Sequence, residues 1–164
     1  MHRLFAAFAS VLAAAHAPTA FAADACSLLS QSDAAAILGQ PIAQVTPAGP
    51  RRDEDSSGQL TSCTYRGASS ALIVSVVEFT SGAEARKQLT SNLVRERMDA
   101  EDAKVSEEPG LGEKSYYGVS GRGSMFVFLK KNKVVGVGVG GEKQNKSVTK
   151  DSLRSVAQTV AKKV

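Results

Sequence analysis

The chain has no tryptophan, two cysteines and two histidines among 164 residues, and aromatic residues make up only 5% of it. Each shortage excludes a class of function. His2 and His16 both fall ahead of Ala22, in a segment that reads as a signal peptide. With that segment removed no histidine remains, which excludes Ser-His-Asp and Cys-His catalysis and every zinc site built on imidazole. Two cysteines are too few for a structural zinc site, so no metal is expected. The lack of tryptophan and the scarcity of other aromatics leave no stacking platform for single-stranded nucleic acid, and no nucleic-acid partner is expected. Long hydrophobic runs are missing too. The apolar stretch at positions 4–15 is well short of the roughly 20 residues that span a bilayer, so no transmembrane segment is expected.

What is present starts with an export signal. A short basic start (His2, Arg3), the apolar run and the small residues Ala20 and Ala22 form the pattern of a secretory signal peptide. The expected organisation is a signal peptide over 1–22 and a single α+β domain over 23–164, with cleavage after Ala25 as the competing site. The expected location is the periplasm or outside the cell.

Cys26 and Cys63 admit two readings. An even count in an oxidising compartment favours one disulfide between them. Alternatively, "AADAC" resembles a bacterial lipoprotein cleavage box, which would leave the protein lipid-anchored through Cys26 with Cys63 as an odd thiol. It departs from such a box at Ala23, where leucine is usual, and at Asp24, where a small neutral residue is usual.

Charge is unevenly distributed. Six acids crowd positions 99–113 against Lys104, whereas eleven bases lie between Lys114 and Val164 against Glu142 and Asp151. A basic C-terminal half favours anionic partners, either an anionic envelope component or an acidic protein. The residues proposed to contact such a partner are Arg122, Lys130, Lys131, Lys133 and Lys143, extended by Lys146. Tyr117, as the outward member of the Tyr116–Tyr117 pair, would line a groove beside them. Solvated lysines that keep the protein soluble are the plainer reading of the same charges.

The periodicity places the elements in the order helix, strands, helix, strands, helix. Ser30 and Asp33 form a capping box, and Gly39 with Pro41 ends that first helix, which should bury Leu29, Ile37 and Leu38. Positions 46–59 hold two prolines, two glycines and a charge cluster, and read as a loop. Two strands follow, "LTSCTYRG" and the apolar "SALIVSVVEF", the latter a central strand. Ser81 and Glu84 cap one amphipathic helix running to Met98. Beyond an acidic linker, "SYYGVS", "SMFVFLKK" and "KVVGVGVGG" form an antiparallel meander with a tight turn at Lys131–Lys133. Leu153, Val156, Ala157 and Val160 mark a C-terminal helix. The expected fold is an antiparallel sheet of about five or six strands flanked by helices.

"VVGVGVGG" contains Gly136-x-Gly138-x-x-Gly141, the glycine spacing of a dinucleotide-binding turn. Such a turn must open directly into a helix and be followed by an acidic residue about 20 positions on, at the end of a second strand. Polar residues follow Gly141 instead, and no cofactor is expected. Alternation of valine with glycine has the period of a strand, one face branched and the other bare backbone. Bare strand faces admit a close neighbour; the expected neighbour is the C-terminal helix, with a ligand as the other occupant. "DEDSSG" at 53–58 begins like a calcium loop but has Thr64 where the bidentate acid belongs, and reads as a solvated acidic loop beside Arg51 and Arg52.

"CSLLSQSDAAAILGQPI", then "CTYRG", "GLGEKSYYG" and a terminal amphipathic helix resemble a broad group of exported bacterial proteins of unknown function, many of them lipoproteins. The resemblance implies a fold of the Mog1/PsbP type and pairing of Cys26 with Cys63. It supplies no catalytic residues. The function expected is a non-enzymatic binding or interaction domain of the cell envelope. A histidine-free hydrolase using carboxylates such as Glu107 and Glu108, or a Ser-Lys pair, is the rival class, and a membrane-tethered structural lipoprotein the third.

Overall fold

A computed structural model describes residues 24–54, 56–141 and 148–164. The expected signal peptide, Asp55, Lys143 and Lys146 lie outside the described residues. A 3-10 turn at Ala25–Ser27 leads into α1 (Gln31–Leu38), followed by strands β1 (Gln44–Arg52), β2 (Gln59–Arg66) and β3 (Ala71–Glu78). Helices α2 (Gly82–Gln88) and α3 (Ser91–Met98) come next, then β4 (Lys104–Glu107), β5 (Lys114–Ser120), β6 (Gly123–Lys130), β7 (Lys133–Gly140) and α4 (Lys150–Lys163). The seven strands form one antiparallel sheet in the order β1-β2-β3-β7-β6-β5-β4. The fold is α+β with an antiparallel sheet.

Two expectations are corrected. The sheet has seven strands rather than five or six, because β1 and β4 occupy segments read as loop and linker. Prolines at 47 and 50 argued against a strand, but β1 is an edge strand whose outer groups need no ladder partner, and it passes Pro50 with a register shift between Ala48 and Arg51. The element order also differs, since two helices rather than one separate β3 from β4. Thr90 interrupts the run: its side chain accepts from the Leu93 N–H at 3.1 Å, an N-cap that starts α3 afresh.

Local signals hold elsewhere. Ser30 accepts from the Asp33 N–H at 3.1 Å, and Gly39 closes α1 at φ 63°. Lys131, at φ 57°, makes the turn between β6 and β7.

The sheet has a core on each face. On one, Cys63, Tyr65, Leu72, Val74, Phe126, Phe128, Val135 and Val137 pack against α1 and against Leu153, Val156, Ala157 and Val160 of α4. On the other, Val77, Val127, Leu129 and Val134 pack beneath Ala85, Leu89 and Val94 of α2 and α3. The C-terminal helix therefore covers the valine face of β7, not the glycine face expected for it. The apolar stripe of α4 gains stabilisation by covering branched side chains, about 1.5–3 kcal/mol for each fully buried Val or Leu, and glycines offer it nothing comparable.

Cys26 and Cys63 form a disulfide with their Cα atoms 4.9 Å apart, tying the 3-10 turn to β2. Sulfur engaged in that bond is not available for acylation, so Cys26 is not a lipid attachment point in this state. Next along the same face, the Tyr65 hydroxyl donates to the carbonyls of Leu29 at 2.5 Å and Cys26 at 3.2 Å. Burial and the nearby Asp24 and Asp33 carboxylates push its pKa up, so the hydroxyl stays a donor.

Candidate functional site

The uncovered glycine face of β7 forms the floor of an open groove of about 400 Å³. Its geometry follows from the register. Ile73 of β3, Gly138 of β7 and Met125 of β6 lie in one cross-strand row, and the next row is Ser75, Gly136 and Val127. Helix α2 packs on β6 and β7 and α3 on β4, β5 and β6, and together they cover β3 at Val77 but leave it open at Ile73. Ile73 consequently stands 43% exposed, the more exposed of two exposed large hydrophobic residues among the described residues, the other being Val45 at 37%.

The α3 wall is set by another glycine. A side chain at Gly118 of β5 would collide with the Met98 sulfur, so its absence lets α3 seat Met98 against the sheet. Arg97, the residue before it, also lines the groove and donates to Asp53 Oδ2 at 3.1 Å in the β1–β2 turn. Both side chains are largely buried, at 18% and 6% exposure, and Asp53 also accepts from Ser56 at 2.7 Å. The Arg97 Nε is buried without a hydrogen-bond partner among the described residues. Asp53, read from sequence as part of a solvated acidic loop, is instead a buried strut. Asp55, the next acid of the calcium-like pattern, lies outside the described residues.

Both charged residues lining the groove are arginines. The positive charge of Arg97 is matched by Asp53. Arg122, at the β5–β6 turn, is 75% exposed; it donates to the Asp99 carbonyl at 3.0 Å and stands 3.8 Å from an Asp99 carboxylate that is 98% exposed. An exposed pair of this kind contributes little, and Arg122 also borders a second cleft lined by Glu96, Asp99, Glu101 and Asp102.

The other candidate residues do not gather around Arg122. Lys130, Lys131 and Lys133 lie at the far end of β6 and β7, about 27 Å away along a strand of eight residues. Lys130 donates to the Ala161 carbonyl near the end of α4, the placement that suits a cation at a helix C-terminus. The Lys131 backbone N–H donates to Glu113 at 3.0 Å, and Lys133 pairs in register with Glu78 on β3. Tyr117 lies on the opposite face from the groove, its ring 4.8 Å from that of Phe126 and under the Lys150 ammonium at 4.9 Å. Lys143 lies outside the described residues.

Nor do the paired carboxylates converge. Glu107 is exposed on β4, whereas Glu108 accepts from Lys150 and from Arg154, both at 2.5 Å, and from Ser106 at 3.1 Å. The Lys150 hydrogen bond, with those from Ser106 and Arg154, holds its pKa below the usual glutamate range. This cluster docks the first turns of α4 onto the sheet.

Sequence reasoning found the glycine face but not its walls. Ile73, Met98, Met125 and Arg97 carry no motif. The available signal was α4 itself, whose apolar stripe matches the valine face better than the glycine face.

Among the described residues no helix is long and apolar enough to cross a membrane. No family model matches the chain, and no curated protein matches it. The fold is similar to that of a solved structure, the extracellular domain of PknH from Mycobacterium tuberculosis, with a TM-score of 0.53 and 13% sequence identity over 90% of this chain and 97% of that one.

Proposed function

We propose that this protein is an exported, non-enzymatic binding domain of the bacterial envelope, and that the groove over Gly136 and Gly138 is its binding site. The observation that carries this reading is the concavity itself. The sheet leaves its glycine face uncovered although a long amphipathic helix was available, and the resulting volume lies within the roughly 300–1,000 Å³ of small-molecule sites. An exposed isoleucine, two methionines and a few hydroxyls line it, the mixture of apolar surface and sparse polar groups that such sites use. The disulfide and the likeness to an extracellular domain support location outside the cytoplasm. Of the basic residues read from the C-terminal half, Arg122 is the one that lines this groove, and the lysines at 130, 131 and 133 lie at the opposite end of the sheet.

The test is native mass spectrometry of the protein recovered from its own export compartment. A non-covalent mass present in the wild type and absent from Gly138→Leu and Ile73→Gln supports the groove. A bound mass retained by both variants would place the site elsewhere and end this reading.

A further inference from the structure

The glycines that bare this part of the sheet also decide where its thioethers lie. A Cβ at Gly118 of β5 would collide with the Met98 sulfur and stand 3.2 Å from a Val94 methyl, so the Met98 thioether rests on the strand in space that a side chain would otherwise fill. Met125 of β6 runs alongside Gly138 and Gly136. Its Cβ is 3.1 Å from the Cβ position of the first, and its terminal methyl 3.9 Å from that of the second. Met98 and Met125 are both half-buried, and both line the groove.

The chain has three methionines, and Met1 lies outside the described residues, so the groove holds every thioether that the described residues contain. Other readily oxidised side chains are missing from them. Cys26 and Cys63 are already joined, tryptophan is absent, and both histidines precede residue 24. An oxidant in a compartment where such a disulfide persists therefore meets its reactive sulfur at one place on this domain.

The two positions differ in what a sulfoxide oxygen would find. Beside Met125, the Ser75 Oγ lies 2.6 Å from the same Gly136 Cβ position that the Met125 methyl approaches, and a serine hydroxyl can donate to a sulfoxide. Around Met98 the neighbours are Val94 and the β5 backbone at Gly118, which pairs with Val105 on one side and Met125 on the other. An S=O dipole held there has no donor, which is unfavourable in a packed site. The helix that carries Met98 is also the weaker partner. At eight residues α3 is too short to persist without packing, and Val94 and Met98 provide its contact with β5.

We infer that Met98 and Met125 are sites of oxidative modification, and that the sulfoxide at Met98 loosens α3 from β5 and so alters the wall of the groove. The sulfur lone pair attacks one oxygen of hydrogen peroxide, and the S–O bond forms as the O–O bond breaks. The departing hydroxide takes the proton from the transferred oxygen and leaves as water; sulfur is oxidised by two electrons and peroxide reduced by two. Methionine sulfoxide reductases, one for each sulfoxide epimer, reverse the change. The modification does not depend on what the groove binds.

Peroxide treatment of the full disulfide-bonded protein, followed by peptide mapping and hydrogen exchange, tests the inference. Both methionines of the folded protein should gain one oxygen at rates within about tenfold of those in urea. After oxidation the α3 amides should exchange about tenfold faster than in untreated protein, while those of β7 keep their protection. Met98→Leu, a substitution of similar volume, should abolish that acceleration, and Met125→Leu should retain it. Sulfoxide reductases should restore slow exchange. A Met98 that stays reduced in the folded protein while it is oxidised in urea overturns the inference, as does an acceleration that Met98→Leu retains. Oxidation of Met98 with unchanged α3 exchange overturns the loosening. Acceleration that survives reduction of the sulfoxides is irreversible damage, and overturns it too.

Discussion

Ile73 on β3 faces Gly138 on β7 directly across the ladder, and the side chain missing from one is the reason the other is exposed. Its neighbour Val74 points to the opposite face and is fully buried against the α1 and α4 side. Two adjacent apolar residues on one strand thus have opposite environments.

That contrast gives the first prediction. Ile73→Thr should change unfolding free energy by no more than about 0.5 kcal/mol, as surface substitutions do, whereas Val74→Ala should cost about 2 kcal/mol through lost burial and a cavity. Urea denaturation of the two variants measures both. Comparable losses would show that Ile73 is covered and that the groove is closed in solution.

The disulfide sets a second expectation. Cys26 and Cys63 are 37 residues apart in sequence, and closing a loop of that length stabilises the fold by about 4 kcal/mol in the chain-entropy description. A Cys26→Ser, Cys63→Ser double variant should lose stability on that order, and reductant should lower the denaturation midpoint of the wild type but not of the variant. A midpoint insensitive to reductant in both would mean that the bond is absent from the isolated protein.

How far the fold was legible follows the range of the forces involved. Ser30 and Gly39 bound α1 through contacts within a few residues, so sequence marks them. Thr90 was equally local and was passed over because Leu89, Leu93 and Val94 continue a helical stripe across it. β1 was illegible for another reason: its prolines exclude a central strand, and only the sheet order shows it to be an edge. The groove was half legible. Alternation at 134–140 revealed a bare face, but which element covers it depended on competition between two faces of the sheet for one amphipathic helix.

A third prediction concerns the turn into β5. Gly112 has φ 65°, and a Cβ there would overlap the Leu129 carbonyl oxygen. Gly112→Ala combines an unfavourable backbone conformation with a steric conflict against main chain, and should destabilise by about 2–4 kcal/mol. Gly110, also at positive φ (98°) but with open space around it, should cost only about 1 kcal/mol on the same substitution. Thermal denaturation of the two alanine variants checks the ordering, and equal losses would show that the Leu129 carbonyl is not the obstacle.

The acid limb of stability should depend on Glu108. Lys150 and Arg154 hold its carboxylate in a site only 15% exposed, so its pKa in the folded chain is lower than in the unfolded chain. A group with that sign contributes its full stabilisation above the ordinary glutamate value of about 4.3, and the contribution is lost as pH falls through the lowered folded value. Glu108→Gln removes the charge and leaves two cations facing each other beside Tyr117 and Phe126, at an expected cost of about 2 kcal/mol near pH 7. Because the variant has no carboxylate to protonate there, the difference between it and the wild type should shrink on going from pH 6 to pH 3. Denaturant midpoints across that range measure the difference directly. A gap that stays constant with pH would mean that Glu108 stabilises α4 by packing alone, and that its charge is not what docks the helix.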